Sequence, residues 1–236
     1  MGFLTYSENI HFHALSNGAL HVISEVKDPF VALPASEMLV PLMDDDKFAE
    51  WERLLLRVPK LFEQNALIPE SENKSCFGAA LMTAAKVMQE CGGKIVVQQT
   101  TLPNIGIGKL SARGSMANEG TPKEQELYVP VDSFYTDLML HCSHHFISVD
   151  VFVCAATGFC DVGSVGAISR ETGGQIYYYS NFDAVKDGKT FAEDLKIDLL
   201  RPHVFRAIMA VRCSRGLETA GYQGRSSMVR HDLTLA

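Results

Sequence analysis

The chain has 236 residues, 47% of them hydrophobic and 21% charged, and its 28 acidic and 21 basic side chains leave a net charge of −7. This composition excludes a disordered chain, and the acidic balance argues against a general nucleic-acid-binding protein. No apolar run approaches the ~20 residues that cross a bilayer, and the first residues lack the basic and apolar regions of a signal peptide.

The first third of the chain predicts a hairpin, a loop and a helix. Residues 3–15 predict a β-hairpin, because two β-prone runs flank a short polar turn. A loop with three prolines is expected over 27–43. A helix should begin at the aspartates of 44–46, since carboxylates suit a helix N-terminus, and we expect Pro59 to break or kink it.

The middle of the chain alternates helices with strands, which is typical of a parallel sheet. Helices are expected at 76–91, 132–145, 161–172 and 189–200, and strands at 94–100, 147–154 and 175–179. Gly92-Gly93 separates the first of these helices from its strand, as expected for a helix C-cap. The strand at 147–154 is apolar enough to be central. Beyond Pro202 the pattern changes to strands, at 207–213, 217–222 and 227–235. The fold class is therefore α/β, with a mostly parallel sheet flanked by helices and followed by β-strands.

Several motifs suggest chemistry, and each lacks a requirement for it. His141, His144 and His145 would share a helix face, but their spacing matches no standard zinc pattern. Residues 106–109 resemble a phosphate loop without its hydroxyl residue or its following helix. The chain also lacks the Asp-x-Ser-x-Ser loop of metal-binding von Willebrand A-type domains. No metal site is therefore predicted.

The six cysteines form no CxxC and lie in no recognisable nucleophile motif. We interpret them as buried, reduced thiols of a cytosolic protein. No catalytic residue is predicted, although a hydrolase or redox enzyme that uses a Cys/His pair stays open as an alternative.

Arginines concentrate in the last 31 residues, where only Glu218 and Asp232 oppose them. The members of this basic group are Arg206, Arg212, Arg215, Arg225 and Arg230. Because arginine binds carboxylates with two parallel hydrogen bonds, the group suits recognition of acidic peptide signals or of anionic lipid. A solvated strand face would produce the same pattern.

A series of short motifs resembles the trunk domain of the cargo-adaptor subunit of the COPII vesicle coat. The motifs occur in family order and at family spacing over essentially the whole chain. They are Gly2–Tyr6 with Ile10–Phe12, Cys76–Leu81, Gly92–Lys94, Gln99–Gly108, Phe134-Tyr135, Gly174–Tyr179 and Val211–Leu217. The motif Gln99–Gly108 also favours the cargo adaptor over its sister subunit, whose corresponding loop reads differently.

The resemblance implies a von Willebrand factor A-like trunk over residues 1–203, lacking its first strand, and the start of a β-sandwich over 204–236. It implies a non-enzymatic coat subunit that selects cargo and SNARE proteins for transport from the endoplasmic reticulum to the Golgi. The family's zinc finger lies before the trunk, so no cofactor is expected in this segment. A sheet without its first strand would expose unpaired edge groups, and we therefore expect the isolated chain to be marginally stable or prone to aggregation.

The partners that the resemblance implies are the sister inner-coat subunit in a heterodimer, cargo tails, SNARE proteins, the small GTPase of the coat indirectly, and an anionic membrane surface peripherally. No nucleic acid is expected. The implied location is cytoplasmic, at endoplasmic reticulum exit sites and on COPII vesicles. A von Willebrand A-type scaffold of some other complex is a further alternative.

The resemblance also indicates a cargo-binding site made of Arg212, Arg215 and Arg230. The family pattern Arg-x-Arg-Cys places its second arginine at Arg212, whereas its first is Ala210 in this chain. In a direct register, Val229 stands where the family has a further arginine, and Arg230 follows one place later. A one-residue shift in a strand turns a side chain to the opposite face of the sheet.

Overall fold

The computed structural model describes residues 1–15, 17–41, 45–63, 73–113, 120–155, 160–220, 227–229 and 232–235. The chain divides into two compact units. The first consists of Met1–Val87 and Thr101–Ser111, and the second of Met88–Thr100 and Ala112–Ala236.

The first unit contains an antiparallel sheet in the order β1-β2-β3. Its strands are β1 (Leu4–Tyr6), β2 (Ile10–Ala14) and β3 (Ala19–Ile23). The predicted hairpin is thus confirmed, with Leu4 opposite Phe12. The third strand was missed, although Asn17-Gly18 is a strong hairpin signal, and Gly18 adopts the positive φ of 69° that such a turn requires.

The first unit also contains three helices, although Met88, the last residue of the third helix, belongs to the second unit. They are α1 (Ala35–Met38), α2 (Asp45–Phe62) and α3 (Phe77–Met88). Of the two expectations for Pro59, the break is wrong, since α2 includes this residue, and the kink stays a prediction. Pro59 lies on the exposed side together with Leu55, so water can satisfy the carbonyl that proline leaves without its helical hydrogen bond.

The core of the first unit forms where the inner face of β2 meets small residues of α3. Ile10, Phe12, Ala79 and Cys76 all bury completely there. A second cluster surrounds Trp51, whose ring meets Phe3 edge-on at 5.7 Å. The small alanine side chains of α3 allow neighbouring segments of the same chain to pack closely against this helix, which explains why these residues are apolar and small.

The second unit contains a parallel sheet in the order β4-β5-β6, as predicted. Its strands are β4 (Gly93–Gln99), β5 (Ile147–Ala155) and β6 (Ile176–Ser180). All nine residues of β5 are buried, which confirms it as the central strand among those described. Gly92, with φ of 68°, ends the preceding helix as expected.

The α-helices of the second unit follow the predicted positions, with one division, and a 3₁₀ helix that was not predicted precedes them. They are a 3₁₀ helix (Pro122–Tyr128), α4 (Ser133–His144), α5 (Val162–Val165), α6 (Ala167–Glu171) and α7 (Gly188–Leu200). The single helix predicted at 161–172 is split in two at Gly166. A Cβ there would lie 2.5 Å from Ile176 Cδ1 and 2.7 Å from the Val162 carbonyl oxygen, so only glycine fits.

Three short strands near the C-terminus form an antiparallel sheet in the order β7-β9-β8. They are β7 (Ala207–Met209), β8 (Ser227–Val229) and β9 (Asp232–Leu235). The strand predicted at 207–213 is shorter, and the one predicted at 217–222 is wrong over its described residues 217–220. These residues are exposed, and a turn closed by the Leu217 N–H on the Ser214 carbonyl precedes them. The division at residue 203 and the β-sandwich stay predictions.

Candidate functional site

Two of the three predicted cargo-binding arginines lie on a fully exposed stretch. Arg212 and Arg215 both fall within residues 210–220, all of which are exposed and follow β7. Gly216 adopts a positive φ of 91° in the turn just after them. Arg230 lies outside the described residues. The structure therefore presents two of the three arginines to solvent and leaves their grouping with the third a prediction.

Arg206, which the sequence grouped with these arginines, anchors the start of β7. Its Nη2 donates to the Glu90 carbonyl oxygen at 3.0 Å, and its guanidinium lies 5.7 Å from the centre of the Phe146 ring. Arg206 and Phe146 each have a φ of 56°, which is uncommon outside glycine. These contacts fix the backbone directly before β7, the strand that the basic stretch follows.

A buried ion cluster joins β4, β5 and α7. The Lys94 ammonium lies 2.5 Å from Asp150 Oδ2 and 2.7 Å from Asp198 Oδ2. It also donates to the Asp198 carbonyl oxygen at 3.0 Å and lies 3.2 Å from His203 Nε2. The contact with Asp198 Oδ2 is an ion pair without hydrogen-bond geometry. The cluster holds the C-terminal end of α7 against the sheet.

Asp150 of this cluster also accepts a hydrogen bond from the Gln175 N–H. Burial raises the pKa of Asp150, an effect that the hydrogen bond from Lys94 and the one from Gln175 oppose. The backbone approaches closely here, because a Cβ on Gly174 would lie 1.9 Å from the Val149 carbonyl oxygen. The glycine of the Gly174–Tyr179 motif is thus explained by packing.

A second charged group fixes the loop between the 3₁₀ helix and α4. Arg113 binds Asp161 with two parallel hydrogen bonds, from Nε at 2.7 Å and from Nη2 at 3.0 Å. Its Nη1 and Nη2 also donate to the carbonyl oxygens of Glu126 and Val129, each at 2.8 Å. Asp161 is only 2% exposed and caps α5 by accepting from the Ser164 N–H. The arginine therefore ties a surface loop to the N-terminal end of α5.

The histidines considered for zinc make ordinary protein contacts. The rings of His141 and His145 lie 4.6 Å apart, and His145 Nδ1 lies 2.8 Å from the Gln89 carbonyl oxygen. Within the described ranges, no group of three His, Cys, Asp or Glu side chains is placed to hold a metal ion.

The glycines of the phosphate-loop-like segment serve a turn. Gly106 has a φ of 76°, and a Cβ there would lie 2.6 Å from the Val26 carbonyl oxygen. The Ile107 N–H donates to that same oxygen at 2.9 Å. Close packing thus explains the glycine without a phosphate.

Four cysteines are buried, and two, Cys91 and Cys213, are exposed. Burial raises the pKa of the Cys76, Cys142 and Cys160 thiols to about 12, and that of Cys154 to about 11. These four are therefore protonated at neutral pH and unsuited to be the thiolate of a hydrolase. Among the described helices, none is long and apolar enough to span a membrane.

The parallel sheet with flanking helices defines an α/β trunk-type domain, and the comparisons agree. The Sec23/Sec24 trunk domain model matches residues 1–199, so the chain belongs to the Sec23/Sec24 trunk domain family. This confirms the family resemblance that the motifs indicated.

Relatives and a solved structure place the chain on the Sec24 side of this family. Protein transport protein SEC24 A of Arabidopsis thaliana is 33% identical over 99% of this chain and 22% of its own length. Protein transport protein SEC24 of Dictyostelium discoideum is 32% identical over 98% of this chain and 23% of its own length. The crystal structure of the human COPII-coat protein Sec24c matches with a TM-score of 0.86 at 28% identity, over 99% of this chain and 30% of that one. The chain thus spans less than a third of the length of these proteins.

The Lys94 and Arg113 groups were not predicted from the sequence. Arg113 and Asp161 are 48 positions apart, and Lys94 and Asp198 are 104 apart, so no local spacing relates them. The one available signal in the sequence was the position of Lys94, directly after Gly92-Gly93 and at the start of an apolar strand. A lysine buried there needs an oppositely charged partner.

Proposed function

We propose that this chain is part of a non-enzymatic COPII coat subunit that selects cargo and SNARE proteins for transport from the endoplasmic reticulum to the Golgi. The supporting observation is the joint match to the trunk family over residues 1–199 and to the fold of Sec24c over 99% of the chain. In this proposal the subunit forms a heterodimer with its sister inner-coat subunit and is recruited by the small GTPase of the coat. It acts at the cytoplasmic face of the membrane, with an anionic lipid surface as a peripheral partner.

The proposed cargo site is the basic stretch of Arg212 and Arg215, together with Arg230. Exposed guanidinium groups can bind the carboxylates of an acidic sorting signal through paired hydrogen bonds. Arg206 supports the proposal, because its contacts with Glu90 and Phe146 hold the chain directly before β7, the strand that the stretch follows. Ala210 supplies no donor where the family pattern has one, so we expect weaker binding of acidic signals than that pattern provides.

The first experiment is co-purification of the full-length protein with the sister inner-coat subunit. Formation of a stable 1:1 complex is the expected result, since the proposal places the chain in the heterodimer. A clean failure to form the complex would remove the proposed function.

The second experiment measures binding of an acidic cargo peptide to full-length protein carrying Arg212→Ala. We expect a Kd at least about 5-fold higher, because one charge-assisted contact to a carboxylate is lost. Arg170→Ala is the matched control, since Arg170 is an exposed arginine of α6 that pairs with Glu171. Equal Kd values for the two variants would show that the site assignment is wrong.

A further inference from the structure

Ser214 is the hydroxyl residue that lies between Arg212 and Arg215 in the exposed basic stretch. Residues 210–220 are all exposed, and none of them belongs to a helix or a strand. The Ser214 carbonyl oxygen accepts a hydrogen bond from the Leu217 N–H at 3.1 Å, which closes a turn just after the hydroxyl. An enzyme can therefore reach the Ser214 side chain without unfolding a regular element.

The residues around Ser214 have the charge pattern of a protein-kinase substrate. Kinases distinguish their substrates by charge, and a cleft lined with carboxylates selects arginines close to the hydroxyl that accepts the phosphoryl group. Arg212 stands two residues before Ser214 and Arg215 directly after it, and both arginines are exposed. The stretch therefore presents an acceptor and its recognition groups together, in a form that suits a kinase with an acidic substrate cleft.

An arginine two residues before a hydroxyl residue occurs at three other positions of the chain, and the tertiary structure separates them from Ser214. Thr172 is fully buried. Ser227 lies in β8, which pairs with β9. Ser115 lies outside the described residues, and the arginine two residues before it is bound to Asp161. Within the described part of the chain, Ser214 is therefore the position that combines this arginine spacing with an exposed, irregular backbone.

A phosphate on Ser214 would reverse the charge of the stretch. Residues 210–220 contain Arg212, Arg215 and Glu218, which give a net charge of +1. A phosphoserine adds about −2 near neutral pH, so the net charge becomes about −1. The phosphate would also lie within two residues of both arginines and could accept the paired hydrogen bonds that they offer to a carboxylate. One modification therefore both occupies the guanidinium groups and repels an acidic peptide.

We propose that Ser214 is phosphorylated by an arginine-directed protein kinase and that the phosphate blocks binding of acidic cargo signals to this stretch. The modification site rests on the exposure and charge of residues 210–220, and its effect on cargo rests on the proposed function. In the reaction, Ser214 Oγ forms a bond to the γ-phosphorus of ATP, and the bond from that phosphorus to the β,γ-bridging oxygen breaks. ADP leaves, and the hydroxyl proton passes to a carboxylate of the kinase.

The first test maps phosphate on the full-length protein by mass spectrometry, after incubation with magnesium ATP and cytosol from the cells that make it. We expect phosphate on Ser214 and none on Thr219, which is an exposed hydroxyl residue of the same stretch with leucine two residues before it. Arg212→Gln should lower the rate of Ser214 phosphorylation at least about 10-fold, because the kinase loses its charged contact. No phosphate on Ser214, equal labelling of Thr219, or an unchanged rate for Arg212→Gln would overturn the inference.

The second test measures the Kd of an acidic cargo peptide for the full-length protein before and after phosphorylation. We expect phosphorylation to raise the Kd at least about 5-fold, because the phosphate competes for the arginines and repels the peptide. Ser214→Ala, treated with ATP and cytosol in the same way, should keep the Kd of the unphosphorylated protein. This variant separates the effect of Ser214 from that of any other phosphate on the protein.

The outcomes separate the inference from the proposed function. If Ser214 is phosphorylated and the Kd does not change, or if Ser214→Ala loses affinity to the same extent as the wild-type protein, the control of cargo binding is wrong while the proposed function stands. If the unphosphorylated protein does not bind the acidic peptide, the proposed cargo site fails together with its control, and the phosphate map alone decides the modification site. Failure to co-purify with the sister inner-coat subunit removes the proposed function whatever the state of Ser214.

Discussion

Replacing Lys94 by methionine isolates the contribution of the buried ion cluster. The substitution keeps most of the side-chain volume and removes the ammonium, which leaves Asp150 and Asp198 facing each other without a counter-charge. These carboxyl side chains are 3% and 0% exposed, and the Lys94 side chain is 11% exposed, so water can replace little of what is lost.

Removing one partner of a buried ion pair typically costs about 3–5 kcal/mol, because the remaining charge stays buried. At about 2–4 °C per kcal/mol for a chain of this size, the melting temperature should fall by roughly 10 °C. The deficit should shrink as the pH falls. Burial raises the pKa of Asp150, and the variant removes the Lys94 hydrogen bond that opposes this effect, so the folded state binds more protons than the unfolded state and acid favours folding.

The assay is thermal unfolding at pH 7 and pH 5, with amide hydrogen exchange to locate the loss in β4, β5 and α7. Lys189→Met is the matched control, because Lys189 is an exposed lysine at the start of α7 and its replacement should change stability by less than about 0.5 kcal/mol. A deficit for Lys94→Met as small as that of the control, or one that grows at pH 5, would refute the reasoning.

Three other predictions concern the two units. Burial lowers the pKa of His13 to about 4, so near pH 5 the unfolded chain binds a proton that the folded chain does not bind. The stability of the first unit should therefore fall by about 2 kcal/mol between pH 7 and pH 5. A flat hydrogen-exchange profile for β2 over that range would contradict this. Gly174→Ala should destabilise the second unit by about 3 kcal/mol or more in a urea titration, since the added Cβ would lie 1.9 Å from the Val149 carbonyl oxygen. The control Gly188→Ala, at a position with open space around it, should be neutral or slightly stabilising in the same titration. A maleimide at pH 7 should label Cys91 and Cys213 in the folded protein, and the four buried cysteines only after denaturation. Rapid labelling of a buried cysteine in the folded protein would support the alternative of an enzyme that uses a Cys/His pair.

Periodicity in the sequence was a good guide to the regular elements. The apolar run at 147–154 predicted a central strand, and all nine residues of β5 are buried. The helix, Gly-Gly, strand order at 76–100 predicted parallel pairing, which β4 and β5 show. Errors arose where local preference did not decide the outcome. Pro59 stays within α2, and its side of the helix is exposed. Gly166 lies between α5 and α6, where the sequence predicted one helix.

The sequence by itself determined the family, the fold class and the basic character of the stretch that contains Arg212 and Arg215, because these depend on residue type and on the order of elements along the chain. Only the tertiary structure decided the Lys94 cluster and the clamp of Arg113 on Asp161. Each of these depends on side chains far apart in the sequence that burial brings together. A charged side chain can be buried only where an oppositely charged side chain lies beside it, and the folded sheet places the two together.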